Sequence, residues 1–271
     1  MHLGFIGTGH IASALVEGFA QTGGDDERYL LSPRGAEHGR RLAREIPRVT
    51  VMEGNQQVVN ESDIVFLCVR PSDAEAVLHE LRFESRHLLI SLIAVLPLSR
   101  VQALAPATTV VRAVPIPAAR RRLSPTGVFP AHPRAEELFN RIGAALTLQS
   151  ERELSVLWSA TGLISPIYAL LAEISGWLES EGLSTETASR FTLMQTRGML
   201  ELASDSPPSA LSHLATAAAT PGGLNEQALG QLRQAGVYQQ LRLALDGILQ
   251  RLLRGLSTPS PQSQPTPNQD H

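Results

Sequence analysis

The sequence predicts an N-terminal α/β domain with a doubly wound parallel sheet, followed by an all-α domain. In the first half of the chain, short apolar runs alternate with segments of helical periodicity, which is the pattern of βαβ units. From about Ser150 onward the periodicity is helical and no strand signal is found. This change of pattern predicts a domain boundary near residue 150.

A glycine-rich turn follows the first apolar run and opens a helix. Gly7-Thr8-Gly9-His10-Ile11-Ala12 comes directly after Leu3–Ile6, and a second strand is predicted at Tyr29–Leu31. Gly7 permits a tight turn, Gly9 lets the backbone approach a pyrophosphate, and Ala12 lets the helix pack closely on the strand. The pattern predicts a Rossmann-type dinucleotide site with phosphates at the helix N-terminus. An ordinary glycine-rich turn is the alternative.

The residues after the second strand indicate which dinucleotide is bound. NAD sites usually place Asp or Glu here, whereas NADP sites place groups that accept a phosphate. The chain has Ser32-Pro33-Arg34, in which the hydroxyl and the guanidinium are suited to a 2′-phosphate. We therefore expect NADP, with NADPH preferred over NADH, unless Arg34 is a solvated turn residue.

The remaining elements of the first half continue the alternation. After a connector rich in Asn and Gln that follows residue 51, the pattern resumes with a fully apolar strand. The predicted helices cover about residues 10–21, 36–45, 73–81 and 98–104, and the further strands cover residues 49–51, 64–69, 88–92 and 109–114. Ligands bind at the carboxyl ends of such strands, where Gly7, Ser32, Arg70, Ala94 and Pro115 are found.

The second half predicts helices and a polar tail. Helices are expected over residues 151–158, 166–181, 185–203, 207–219 and 225–254, with Ser184 as an N-cap. Several are apolar on more than one face, which predicts a homodimer or higher homo-oligomer. The expected domains are therefore residues 1–149, which bind NADP, residues 150–256, which are helical, and residues 257–271, a disordered tail.

Composition excludes several classes of function. All 23 basic residues are Arg, so a Schiff-base lysine mechanism is excluded. The net charge of −3 gives no support to nucleic-acid binding. Cys68 is the only cysteine, lies in an apolar run and fits a reducing compartment. We expect no metal site, no signal peptide and no membrane-spanning stretch, and hence a cytoplasmic protein.

The order of these features resembles the pyrroline-5-carboxylate reductase family over almost the whole ordered chain, to the Thr220-Pro221-Gly222-Gly223 segment. That family joins a Rossmann domain to a helical dimerisation domain and reduces a cyclic imine to proline with NADPH or NADH. Further matching landmarks are Asn55, Val69-Arg70-Pro71, Ile90-Ser91, Ala94, Val111-Arg112, Pro115, Pro166, Tyr168 and Gln195-Thr196.

The turn and the resemblance together give the candidate site residues. Those for the cofactor are Gly7, Thr8, Gly9, His10, Ile11, Ser32, Arg34, Asn55, Val69, Arg70, Pro71 and Ala94. Those for the substrate are Ser165, Gly222, Gly223, Leu224 and Asn225. Tyr168 and Asn225 are the candidates for catalysis, with Glu173 or water as alternative proton donors.

The chain departs from the family where relatives contact substrate. The family's Met-Pro-Asn-Thr-Pro becomes Val114–Pro117, and Leu163 and Ile164 replace small residues. Leu224-Asn225 replaces Thr-Thr, which removes hydroxyls that hold a carboxylate in relatives. The backbone N–H groups of Gly222 to Asn225 remain as donors. These changes predict a larger or less polar imine than pyrroline-5-carboxylate.

We therefore expect an NADPH-dependent reductase of pyrroline-5-carboxylate or of a related imine. Two alternatives remain. A non-catalytic NADP-binding dimeric sensor or partner protein would explain the altered loops. A β-hydroxyacid-type dehydrogenase shares the domain plan, but it needs a lysine that this chain lacks.

Overall fold

The computed structural model describes residues 1–205, 207 and 211–257. The chain forms two compact units. The N-terminal unit comprises Met1–Ser159 together with the chain from Leu249 onward, and the helical unit comprises Ala160–Ile248. The predicted disordered tail lies outside the described residues from position 258 onward, as do residues 206 and 208–210 at the start of the helix predicted over residues 207–219.

An eight-stranded sheet organises the N-terminal unit, in the order β3-β2-β1-β4-β5-β6-β7-β8. Its first six strands are parallel. They are β1 His2–Ile6, β2 Arg28–Leu31, β3 Val49–Val51, β4 Ile64–Leu67, β5 Leu88–Ser91 and β6 Thr109–Val114. The connecting helices are α1 His10–Ala20, α2 Ala36–Glu45, α3 Asn55–Glu61, α4 Ala74–Glu80 and α5 Leu98–Leu104. The predicted βαβ alternation is confirmed, and the strand order reverses between β1 and β4.

The prediction of a doubly wound parallel sheet holds for these six strands, and two further strands that were not predicted extend the sheet with one antiparallel pairing. β7 (Ser124–Phe129) pairs antiparallel with β6, and β8 (Gly143–Thr147) pairs parallel with β7. Helix α6 (Pro133–Arg141) connects β7 to β8. The direction changes because β6 is followed by a 3-10 helix, Pro117–Arg121, and not by a full crossover helix.

Details of other elements also differ from the predictions. The connector rich in Asn and Gln is helix α3, which buries Val58 and Val59. Strand β4 ends at Leu67, two residues earlier than expected, because the chain turns away at Cys68 to pass beside Gly7. A 3-10 turn, Pro71–Asp73, then precedes α4. The change of direction at Cys68 brings the segment after β4 next to the glycine turn.

Two apolar layers cover the faces of the sheet. On one face, Phe5 and Phe66 stack with ring centroids 4.8 Å apart, and Phe139 meets Phe66 edge-on. On the other, residues of α3, α4 and α5 pack against Val65 and Leu89. Burial on both faces explains why the central strands are apolar at every position.

The boundary between the units lies ten residues later than the predicted 149/150 division, at Ser159. Helix α7 (Glu151–Thr161) belongs largely to the N-terminal unit because it packs on the sheet. Leu154 is fully buried, and the Leu157 side chain lies against Gly127 of β7. The end of the last helix also belongs to the N-terminal unit.

In its described part, the helical unit contains no strand. It contains α8 Ile164–Ser180, α9 Thr185–Ser204, α10 Leu211–Ala217, α11 Leu224–Gln234 and most of α12 Val237–Ser257. The Ser184 N-cap is confirmed, since its hydroxyl accepts the Thr187 N–H at 3.2 Å. The single helix predicted over residues 225–254 was wrong: it breaks at Gly236, which adopts φ +74°. That left-handed conformation ends a helix.

Very little of the helical unit is buried. Among its described residues, only Ala188 and Thr192 are classed as buried, both on α9. Many large apolar side chains on α8 and α9 are exposed by half or more: Ile167, Tyr168, Leu170, Trp177, Phe191, Leu193, Met194, Met199, Leu200 and Leu202. Apolar exposure on this scale marks an interaction surface.

One helical stretch bears on the expectation of no membrane-spanning stretch. In the described part of the chain, the helical stretch Glu151–Ser180 is long and apolar enough to cross a membrane by length and composition alone. A turn at Gly162-Leu163 divides this stretch into α7 and α8. Leu154, Ser155 and Ser159 of its first part are buried in the N-terminal unit. The first part of the stretch is therefore packed on protein, whereas α8 buries none of its residues.

Candidate active site

The turn after β1 brings the backbone of Gly7 against the segment that follows β4. Gly7 adopts φ +93°, and a Cβ atom there would lie 2.9 Å from the backbone nitrogen of Val69. Its N–H donates to the Ser32 hydroxyl at 2.8 Å, which ties the turn to the end of β2. A side chain at position 7 would therefore be unfavourable for two reasons: the positive φ angle strains a residue with a Cβ atom, and the backbone of Val69 leaves no room for one.

Gly9 differs from Gly7, because the space beside it is open. Gly9 is the N-cap of α1 in an extended conformation, and no side chain accepts a hydrogen bond from the first turn of the helix. A Cβ at Gly9 would meet no atom within 4 Å. Uncapped N–H groups beside open space form an anion-binding position.

The loop after β2 is fastened to the same turn. The Thr8 N–H donates to the Arg34 carbonyl at 3.2 Å, and the Thr8 hydroxyl donates to the Ser32 carbonyl at 3.2 Å. Gly35 has φ +90°, and a Cβ there would lie only 2.1 Å from the Thr8 carbonyl oxygen. These contacts fix the backbone of Arg34 beside the glycine turn.

A cleft of about 480 Å³ opens above this turn, at the carboxyl ends of β1 and β4. It lies where the strand order reverses, which is the ligand-binding position of doubly wound sheets. Arginine and histidine side chains outnumber acidic ones in its lining. Those groups are His10, Arg34, His38 and Arg70, and Asp73 is the acidic residue of the lining. The cleft therefore suits an anionic ligand.

The structure brings together some of the predicted cofactor residues. Gly7, Thr8, Gly9, His10, Arg34, Val69 and Arg70 line the cleft. Ile11, Asn55, Pro71 and Ala94 are not part of this lining. Asn55 instead begins α3 after the N-cap Gly54.

The prediction for Ser32 needs correction. Its side chain is buried, with 1% of the residue exposed, and its hydroxyl accepts the Gly7 N–H. Ser32 therefore holds the turn in place and does not face a ligand in this structure. Arg34, by contrast, is 66% exposed at the cleft.

Several cleft residues were not predicted from the sequence. His38 projects from α2, and its ring lies edge-on to that of His10 with centroids 4.9 Å apart. Asp73 pairs with Arg34 at 2.8 Å. Cys68 also lines the cleft, and burial raises the pKa of its thiol, which keeps the group protonated.

A buried arginine holds the loop after β5, which contains Ala94. Arg112 of β6 is fully buried and donates to the carbonyl oxygens of Ile93 and Ala94 at 2.8 and 2.7 Å. Its charge is balanced by Glu151 at 2.5 Å, and its guanidinium lies 5.2 Å from the ring centroid of Trp158. The matching landmark at this position is therefore a structural anchor for the loop.

The predicted substrate and catalytic residues belong to the helical unit. Gly222 has φ +72°, and its N–H donates to a Glu226 carboxylate oxygen at 2.7 Å. The Gly223 N–H donates to the Thr220 carbonyl at 2.8 Å. Two of the N–H groups expected to bind a carboxylate thus have partners within the loop. Those of the first turn of α11, which no side chain caps, remain.

The side chains near this loop are largely exposed. Leu224 is 85% exposed at the start of α11, and the Asn225 amide donates to the Ala218 carbonyl at 2.9 Å. On α8, Ser165 is exposed and Tyr168 is 67% exposed. Within the described residues, no group of three or more His, Cys, Asp or Glu side chains is placed to hold a metal ion.

Comparisons with known proteins agree with this architecture. A family model described as NADP oxidoreductase, coenzyme F420-dependent, matches residues 2–95, which contain the cleft. The chain is 29% identical over 262 residues to the pyrroline-5-carboxylate reductase of Pseudomonas aeruginosa, covering 92% of this chain and 94% of that protein. It is 28% identical over 260 residues to the enzyme of the same name from Methanosarcina acetivorans, covering 87% and 90%.

The fold is also found among solved structures. The Plasmodium falciparum pyrroline carboxylate reductase with NADP bound superposes with a TM-score of 0.81 over 95% of this chain and 98% of that one, at 19% identity. The two-unit plan of a mostly parallel sheet followed by helices is thus shared with these reductases over nearly the whole length. The chain is therefore similar over nearly its whole length to pyrroline-5-carboxylate reductases.

Proposed function

We propose that the protein reduces a cyclic imine, either pyrroline-5-carboxylate or a related and less polar imine, and prefers NADPH to NADH. It is an oxidoreductase of a family whose named members act on a C=N bond. The observation that carries the proposal is the glycine-lined cleft at the ends of β1 and β4, which Arg34 lines from the loop that follows β2. This is the arrangement that a phosphorylated dinucleotide requires.

The residues of the cleft fit such a cofactor part by part. The open space at Gly9 and the uncapped first turn of α1 suit the pyrophosphate. The exposed guanidinium of Arg34 suits a 2′-phosphate, because it offers paired donors. Val69, Arg70 and the Ala94 loop, across the switch point from β2, would hold the nicotinamide half, which supplies the hydride that adds to the imine carbon.

The reaction asks mainly for orientation of the reactants. The imine accepts hydride most readily when it is protonated, so the chain must hold the cation of the imine against the cofactor and exclude water. Tyr168 and Asn225 are proposed to position the imine, and Ser165 and the first turn of α11 to bind its polar groups. The proposal requires these residues of the helical unit to meet the cofactor site in the assembled protein.

The substrate loop favours an imine with less demand for polar contacts than pyrroline-5-carboxylate. Leu224 brings an apolar side chain to the start of α11, and Glu226 brings a carboxylate to the Gly222 N–H. A substrate carboxylate would meet like charge there, and fewer donors.

Assembly as a soluble homodimer or larger homo-oligomer is part of the same proposal. The exposed apolar side chains of α8 and α9 need a covering surface, and a second copy of the chain supplies one of matching chemistry. A soluble assembly in the cytoplasm would bury them without a membrane.

The test is the loss of NADPH absorbance when the purified full-length protein meets pyrroline-5-carboxylate, with NADH and with bulkier or carboxylate-free cyclic imines in parallel. We expect turnover with NADPH, and we expect it to be fastest on a bulkier or carboxylate-free cyclic imine. Tight NADPH binding without turnover on any imine would support a non-catalytic sensor instead.

A variant tests the part assigned to the loop. Leu224→Thr restores a hydroxyl that relatives carry, and it should raise kcat/KM for pyrroline-5-carboxylate about tenfold, the size of one hydrogen bond to a charged group. Leu232→Thr, on the exposed side of the same helix, is the control and should change nothing. Equal effects of both substitutions on kcat/KM would show that the loop is not part of the substrate site.

A further inference from the structure

We propose that Asp73 determines cofactor specificity by competing with the 2′-phosphate of NADPH for Arg34, which keeps the discrimination between NADPH and NADH small. The inference rests on the proposed function, because it requires the cleft to bind a nicotinamide dinucleotide. It assigns to one acidic residue a part in choosing between the cofactors.

The contact between Asp73 and Arg34 joins two separate loops of the cleft. Arg34 lies after β2 and Asp73 lies at the end of the 3-10 turn after β4. Their charged groups are 2.8 Å apart, between Nη2 of Arg34 and Oδ2 of Asp73. Both residues line the cleft, so a ligand that enters it meets the pair directly.

The direction of the Asp73 carboxylate is the second observation. Asp73 is the N-cap of α4, where a carboxylate usually accepts the N–H groups of the first turn. Here it makes no capping hydrogen bond. One oxygen instead pairs with Arg34, and the other accepts the Ser72 hydroxyl at 3.1 Å. The side chain is thus turned from its usual local partner to the cation of the cleft.

Charge explains why this contact discriminates between cofactors. A 2′-phosphate must take Arg34 from Asp73 and then remain beside the displaced carboxylate, so it meets repulsion between like charges. The 2′-hydroxyl of NADH carries no charge and leaves the pair intact. His10, His38 and Arg70 attract the pyrophosphate of both cofactors. Asp73 therefore penalises NADPH selectively.

The size of the penalty follows from exposure. Arg34 is 66% and Asp73 27% exposed, so solvent screens their attraction. We expect the ratio of the dissociation constants for NADH and NADPH to rise about fivefold in Asp73→Asn, the effect of one exposed ion pair. The ratio is the proper measure, because removing a negative charge strengthens the binding of both cofactors.

The experiment is a calorimetric titration that measures the dissociation constants of NADPH and of NADH for the full-length protein. It compares the wild type with Asp73→Asn, Arg34→Gln and the double variant. The single Arg34 substitution should weaken NADPH selectively. In its presence Asp73→Asn should raise the ratio less than in the wild type, because only the repulsion between carboxylate and phosphate remains to be relieved. Asp73→Ser, which keeps a good N-cap residue, is a second variant should the amide destabilise α4.

A matched control lies two residues further along. Glu75 pairs with Arg100 at 2.8 Å, also at a partly exposed site, but neither residue lines the cleft. Glu75→Gln removes the same charge from the same helix and should leave the ratio unchanged.

The outcomes separate the inference from the function on which it rests. An unchanged ratio in both Asp73 variants, or a weaker preference for NADPH, overturns the inference while the cleft remains a dinucleotide site. A wild-type protein that binds neither cofactor overturns the proposed function, and the inference with it.

Discussion

Gly7 and Gly9 lie in one turn, yet a side chain at each would meet different surroundings. At Gly7 it would clash with the backbone of Val69, whereas at Gly9 it would enter empty space. Protein packing explains glycine at the first position but not at the second. The open position is therefore the better probe of a ligand, because a substitution there changes no contact within the protein.

We predict that Gly9→Ala weakens NADPH binding by about tenfold or more, since the pyrophosphate must approach that backbone closely. The free energy of unfolding should change by no more than about 0.5 kcal/mol, because no neighbour is disturbed. Gly54→Ala is the matched control, as Gly54 is also an extended N-cap with open space beside it. NADPH binding by Gly9→Ala at wild-type strength would contradict the proposed pyrophosphate position.

His87 offers a test of stability that is independent of the cleft. It is buried at the amino end of β5, and burial, followed by the nearby charge of Arg86, lowers its pKa from the ordinary 6.5. At a pH between the folded and unfolded pKa values, His87 is therefore protonated in the unfolded chain and neutral in the folded one. Stability from the neutral ring is complete above pH 6.5 and falls as the pH drops from there towards the lower folded pKa.

We predict that His87→Gln reduces the loss of unfolding free energy between neutral and mildly acidic pH, as measured by denaturant titration at several pH values. NADPH affinity at neutral pH should not change, since His87 is at the opposite end of the strand from the cleft. An unaltered pH dependence would show that another group is responsible.

The residues of the site were predictable where local sequence decides their position. Gly7 and Arg34 are placed by the turn and by the end of β2, and both line the cleft. The hydrogen bond from the Gly7 N–H to the Ser32 hydroxyl could not be predicted from the sequence, because it depends on how β1 and β2 align in the sheet. Asp73 was missed for the same reason, since its partner is 39 positions earlier.

At the level of elements, periodicity predicted the long helices and the apolar strands. It missed α3, because this short polar helix buries only Val58 and Val59. It missed β7 and β8, since β7 contains Pro125 and Gly127 and β8 is a largely exposed edge strand. The break between α11 and α12 was hidden because the residues around Gly236 continue a helical pattern.

We predict that Gly236→Ala destabilises the protein by about 1–2 kcal/mol, the cost of a left-handed conformation for a residue with a Cβ. Gly230→Ala is the control within α11, where no neighbour is met, and it should stabilise by about 0.5–1 kcal/mol. Both values come from denaturant unfolding of the full chain. Stabilisation by both substitutions would mean that the helices are continuous in solution.

For the molecule as a whole, the contrast between the two units is the informative property. The N-terminal unit buries its apolar side chains in two layers, whereas the helical unit leaves most of its own exposed. The exposed apolar surface of the helical unit is the basis of the proposed assembly. The fold class and the unit order were predictable from the sequence, whereas the place of the end of α12 in the N-terminal unit was not, because it depends on tertiary contacts.

We predict that the wild-type protein is a dimer or larger by light scattering, and that Leu193→Glu on α9 reduces its mass towards that of one chain. The leucine is 60% exposed in the single chain, so the substitution harms the assembly and not the isolated fold. Leu123→Glu, at a leucine 70% exposed in the N-terminal unit, should leave the mass unchanged. A wild-type monomer would contradict the assembly, and recovery only in membranes would assign the apolar surface to lipid.

The most direct test of the central claim is the transfer of label from the cofactor to the product. The full-length protein is incubated with NADPH deuterated at the nicotinamide C4 and with pyrroline-5-carboxylate or a bulkier cyclic imine, and the product is examined by mass spectrometry. The account predicts a cyclic amine that carries deuterium at the former C=N carbon, formed more slowly by Gly9→Ala when NADPH is below saturation. NADPH that binds tightly while every imine remains unreduced and unlabelled would contradict it.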